Sequence, residues 1–180
     1  MVTVKVIMPV VLILLFCFNA ESKFFHNKYS KTSHNFLDTN TSNQITIKDA
    51  VDYTTELLKC DIIKAEKKFR KDIPVWKMNV ITEGRGSAVI EISAEEKALI
   101  SIDAGEGPFE YDIIPGKNFI SFSEAKSKAE EYSGQKTLKW KYAKNKNSWE
   151  YNFWMFIKSG KAQVRIDAAS GDIVTVKKKR

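Results

Sequence analysis

Leu138, Trp140 and Tyr142 alternate with Lys139 and Lys141, a period of two that predicts a strand with one buried and one wet face. Asn145-Lys146-Asn147-Ser148 then turns the chain, and Trp149 to Ile157 returns. Trp149, Tyr151, Phe153, Met155 and Ile157 form its core face. The opposite face reads Glu150, Asn152, Trp154, Phe156, and changes from polar to apolar partway along. Ser159-Gly160 and Ala169-Ser170-Gly171-Asp172 introduce two more short runs, 162–167 and 173–176. Runs this short and this close are most simply joined as antiparallel hairpins. Upstream, Trp76–Thr82, Ala88–Ser93 and Leu99–Asp103 read as strands in the same way.

Two stretches carry the helical period instead. Ala50, Val51, Thr54, Leu57 and Leu58 share one face of a first helix, with Cys60 at its end. Phe122, Ala125, Ala129 and Tyr132 share one face of a second, which Gly134 terminates. Thr46 with Asp49 makes an imperfect capping box, and Ser121 with Glu124 the full version.

These elements recur in order. Ile45–Ala50 is echoed by Ile120–Ala125, Trp76–Val80 by Trp149–Phe153, and Ile100–Ala104 by Val164–Ala168, the last pair followed by Gly107 and Gly171. The expected class is α+β: two repeated modules, 45–118 and 119–180, each a helix packed on a short antiparallel sheet. Modules of about 70 residues bury too little surface to be robust alone, so the two are expected to pack together.

The chain before residue 45 has a different character. Lys5, the apolar run Val6–Phe18 and the small residues of Ala20-Glu21-Ser22 have the layout of an export signal, so 1–22 is expected to be a signal peptide or an N-terminal membrane anchor. Cys17 raises lipidation, but Phe16 stands where that processing needs a small residue. Residues 23–44 are rich in Asn, Ser, Thr and Lys and read as a polar spacer that carries Phe24, Phe25, Tyr29 and Phe36. The location is therefore extracytoplasmic, secreted or tethered.

The opening Ile-Ser-x-x-Glu-Ala of Ile120–Ala125 and the hairpin of Val164–Val174 resemble the PepSY family. Residues 45–118 carry the pattern less well: Gly105-Glu106-Gly107-Pro108 replaces the usual turn, and Phe109–Ile114 takes the place of the final apolar strand. The resemblance implies a cystatin-like curl of sheet around a helix. It also implies a role in restraining secreted proteases, as propeptides do, or in regulating envelope proteins. It offers no catalytic residue to carry over.

Composition narrows the function further. Both histidines, His26 and His34, lie in the spacer, which leaves the modules without an imidazole for a triad or a zinc site. Cys60 stands without a histidine, and no glycine-rich phosphate loop is present. Asp103, Glu106, Glu110 and Asp112 cluster around a turn but match no calcium loop, so neither metal nor cofactor is expected. The expectation is a non-catalytic regulatory protein that binds another envelope or secreted protein, such as a protease or a cell-wall enzyme. The net charge of +7 is uneven: residues 45–118 hold 11 basic and 14 acidic groups, residues 119–180 hold 14 and 6. An alternative is therefore a basic module that binds an anionic wall polymer or lipid headgroups, with nucleic acid excluded by export. The candidate partner-binding residues are Trp154, Phe156, Lys139 and Lys141. The simpler role for Trp154 and Phe156 is packing against the first module, since strands buried on both faces read as continuous apolar runs, with a partner surface as the alternative.

Overall fold

The computed structural model describes residues 44–158 and 160–179. The expected export signal, the spacer up to Asn43, Cys17 and both histidines lie outside the described residues. Helix α1 (Ile47–Leu57) leads into β1 (Cys60–Arg70), β2 (Ile73–Thr82), β3 (Ser87–Ser93) and β4 (Leu99–Glu106). Helix α2 (Phe122–Ser133) leads into β5 (Lys139–Asn145), β6 (Ser148–Ile157), β7 (Gly160–Asp167) and β8 (Ile173–Lys179). All eight strands form one antiparallel sheet in the order β1 to β8, each paired with its neighbours in sequence.

The register shows why this is a single layer. Met78, Ile90, Ile102, Tyr142, Tyr151 and Ile166 are successive partners across β2 to β7, and every one is buried. Directly paired residues point to the same face of a sheet, so this row is the spine of one core. Ala50 of α1 and Phe122, Ala125 and Ala129 of α2 belong to the same cluster. The β4–β5 pairing, Ser101 to Ala104 against Ala143 to Trp140, joins the halves edge to edge. The α+β class and the α2-to-β8 elements agree with the sequence pattern.

Several expectations are corrected. Cys60 does not end a helix; α1 stops at Leu57 and Cys60 opens β1, a strand the sequence reading lacked. A bulge between Ile62 and Lys64 shifts the alternation inside β1 and hides its period of two. Phe109–Ile114 is not a strand; it is an irregular connection that sends Phe109 and Ile113 into the core. Tyr132 does not share the buried face of α2 and is exposed. Ile100–Ala104 lies in β4, so its match with Val164–Ala168, the end of β7 and the residue after it, pairs unlike strands. The hairpin turn that follows β3 has the geometry of the one that follows β7. The Ser93 amide donates to Ala98 O at 2.8 Å, as Asp167 does to Asp172 O at 2.9 Å. Lys97 takes the left-handed φ of 49° where Gly171 takes 76°. A lysine in the position that favours glycine is what obscured this correspondence in the sequence.

The caps are also reversed. The box at α1 is complete: Thr46 N–H donates to Asp49 Oδ2 at 2.9 Å, and Asp49 N–H to Thr46 Oγ1 at 3.2 Å. At α2 the Ser121 hydroxyl accepts from Glu124 N–H at 3.2 Å, but Glu124 pairs with Lys128 at 3.1 Å. The second carboxylate at this helix end is Asp112, whose Oδ1 accepts from the amides of Ser123 at 2.8 Å and Ile113 at 2.9 Å. Partial burial works to raise the Asp112 carboxyl, but these hydrogen bonds outweigh it and hold the group below its usual range. A lowered folded-state value stabilises above the unfolded value and is lost as the pH falls through the folded one. Asp112→Ala should therefore cost about 0.5–1 kcal/mol at neutral pH, at the lower end for a helix cap because solvent screens the site. In urea titrations the difference from wild type should shrink once the pH drops below about 3.9.

Candidate functional site

With both helices contributing to one core, the other sheet face is left as the binding surface to consider. Its central row runs across all eight strands: Lys64, Asn79, Val89, Asp103, Lys141, Asn152, Arg165, Thr175. The row beside it in the second half is Lys139, Trp154, Gln163, Lys177. Phe156 and Lys161 are partners one step further along.

The candidate residues Lys139, Lys141 and Trp154 thus meet on one surface, and Phe156 adjoins them. Lys139 and Lys141 both pair with Asp103, at 2.9 and 3.4 Å. Lys139 Nζ also lies 5.7 Å from the Trp154 ring centre, and Lys161 Nζ lies 5.5 Å from that of Phe156. Each ammonium is near enough to a ring for a cation–π contact. The expectation that Trp154 and Phe156 pack against the first half is not met. Trp154 is half-buried between β5 and β7, and Phe156 is 55% exposed.

Two side-chain networks stiffen this face. Glu150, 2% exposed, accepts from Arg165 Nε and Nη2 at 2.7 and 2.6 Å and from Asn145 Nδ2 at 3.2 Å. Arg70 Nη1 donates to Glu91 at 2.6 Å and to Ser101 Oγ at 3.1 Å, while Ser101 donates to Glu91 at 2.7 Å. The second network lies in a trough of about 830 Å³ across the first half, rimmed by Ile63 and Phe69 of β1 and reaching Lys141. Phe69 is 75% exposed there. The sequence reading missed this trough because it missed β1. The alternation of Lys77, Asn79 and Ile81 in β2 was the only available signal.

The four carboxylates of the expected acidic cluster serve different surroundings. Asp103 holds two lysines and Asp112 covers the start of α2, while Glu106 and Glu110 are exposed. Among the described residues no group of three or more His, Cys, Asp or Glu is placed to hold a metal. Cys60 is pushed up to about 11 by burial and by the Asp61 carboxylate, which disfavours a thiolate. Burial raises Tyr111 to about 12, and raises Tyr142 and Tyr151 as well; all three belong to or adjoin the aromatic core. The open face is suited to recognition: fixed polar groups, two aromatic rings and lysines beside them.

Residues 119–177, covering α2 and almost all of β5 to β8, match the PepSY family, described as peptidase propeptide and YPEB domain. No curated protein sequence matches the chain significantly. One similar solved structure is a candidate lipoprotein from Clostridium difficile 630. It is 14% identical, covers 76% of this chain and 94% of its own, and has a TM-score of 0.37. No helix among the described residues is long and apolar enough to cross a membrane.

Proposed function

We propose that the chain is an exported, non-catalytic binding protein. It engages another envelope or secreted protein, such as a protease or a wall enzyme, through the open face of its second half. The observation that carries this reading is the position of Trp154, which lies on the open face beside Lys139 and does not join the core. Buried aromatics maintain a fold, whereas aromatics on a polar open face are common anchors for a partner. The apolar run Val6–Phe18 and the family of the second half support a site of action outside the cytoplasm.

We further infer that residues 45–118 are a diverged copy of the same module. The element order of one helix and four strands, and the like hydrogen bonding of the turns after β3 and β7, support this. In this reading the trough bounded by β1 is the first module's counterpart of the Trp154 strip.

The experiment is a crosslinked pull-down of tagged full-length protein from its own cells, with wild type compared with Trp154→Ala. Loss of an anchor worth about 2 kcal/mol lowers recovery of the specific partner roughly 30-fold, while the unfolding midpoint changes little. Equal recovery by both forms, or recovery of salt-sensitive polymer alone, refutes the reading.

A further inference from the structure

One end of the sheet combines exposed apolar groups with lysines that have no acidic partner among the described residues. It is built where β5 begins, β6 ends, β7 begins and β8 ends: Leu138 N–H donates to Trp154 O, and Phe156 is the partner of Lys161. The last turn of α2 reaches the same end, because Tyr132, Ile157, Lys158 and Lys178 line one hollow of about 440 Å³. Tyr132, Leu138 and Phe156 are 58%, 41% and 55% exposed. Around them stand Lys158, Lys161, Lys177 and Lys178. Among the described residues none of these four forms an ion pair, a state shared by other surface lysines such as Lys59, Lys117 and Lys144; what sets the four apart is that they gather at one end of the sheet beside exposed apolar groups.

We propose that this end of the sheet rests on an anionic lipid surface, with Phe156, Leu138 and Tyr132 at the headgroup boundary and the four lysines on lipid phosphates. The inference rests on the reading that the chain acts outside the cytoplasm. A groove would favour a peptide, but here Phe156 lies on the open face and Leu138 and Tyr132 on the helical face, so the exposed apolar groups surround the end of the sheet and do not line one cleft. That arrangement suits a plane. Aromatic rings favour the polar–apolar boundary of a bilayer, and lysines pass their charge to the headgroups while their stems cover apolar surface. Each lysine near an anionic surface strengthens binding about fivefold. The length of chain that precedes the sheet is also compatible with contact to one bilayer. Residues 23–44 span at most about 80 Å when extended, and eight strands at about 4.8 Å spacing make a sheet about 34 Å across.

The test uses the full chain with Phe156→Trp, reconstituted in vesicles of phosphatidylcholine alone or with phosphatidylglycerol, both with brominated acyl chains. The difference in tryptophan emission from wild type reports position 156. Quenching of that signal in phosphatidylglycerol vesicles, absent in phosphatidylcholine, is the expected result. Adding Lys161→Glu and Lys177→Glu should weaken it roughly 25-fold or more, about fivefold for each lysine lost. Equal quenching in both lipids, or none in either, overturns the proposal. So does an unquenched signal accompanied by binding of soluble poly(glycerol phosphate), which would make the end a polymer site. Pull-down of a protein partner through Trp154 is a separate readout, so failure of the lipid contact leaves the binding-protein reading intact.

Discussion

Trp140→Ala is expected to remove about 3–5 kcal/mol of stability, the range for deleting a large buried aromatic. Trp140 is fully buried in β5, with its ring centre 4.2 Å from that of Phe122 on α2. Its indole N–H donates to the Tyr111 hydroxyl at 3.1 Å, so the substitution also removes that hydroxyl's donor. Trp140 pairs with Ala104 of β4 and Phe153 of β6. The cavity therefore opens beside the junction of the two halves. Since domains of this kind are stable by only about 5–15 kcal/mol, much of the margin would go. The row from Met78 to Ile166 makes the core common to both halves. Circular dichroism and tryptophan emission should thus report one shared urea transition, moved to lower concentration in the variant. Two separated transitions in the wild-type chain would contradict a shared core.

The second large effect lies at Glu150. Its carboxylate is nearly inaccessible and answers both arms of the Arg165 guanidinium. Glu150→Ala leaves that cation with no carboxylate beside it, at an expected cost of about 3–5 kcal/mol. Removing the cation as well changes the outcome, because a buried ion pair repays little more than its own desolvation. Glu150→Leu with Arg165→Met should recover most of the lost stability. A double-mutant cycle measured by urea denaturation checks this. A double variant no more stable than Glu150→Ala would show that the pair contributes by another route.

The second half was the more legible part of the fold, and the reasons are local. Strict alternation in Lys139–Tyr142 and Trp149–Ile157, glycine turns and a helix ending in Gly134 each announce their structure, and Gly134 takes the left-handed φ of 65°. In the first half the signals are displaced. The bulge after Ile62 breaks the period of β1, and Lys97 occupies a left-handed turn position without a glycine. Gly105 to Pro108, which does look like a turn, only ends β4 before the connection to α2. Of the site, the lysines and aromatics of β5 and β6 could be named from the sequence because alternation assigns each to a face. The partners of those residues could not, since Asp103 lies 36 to 38 positions before the two lysines and meets them only through the β4–β5 register. The trough needed β1, and β1 was hidden.

In the proposed function a partner protein is held on the open face and not on the helical one. Site-specific photocrosslinking in living cells tests it most directly, with the crosslinking residue placed in the full-length chain at Gln163 on the open face or at Ser127 on the exposed side of α2. Position 163 should give a discrete adduct with one exported protein, weakened by Trp154→Ala, and position 127 none. Adducts from position 127 alone would place the partner on the helices and refute the proposed function.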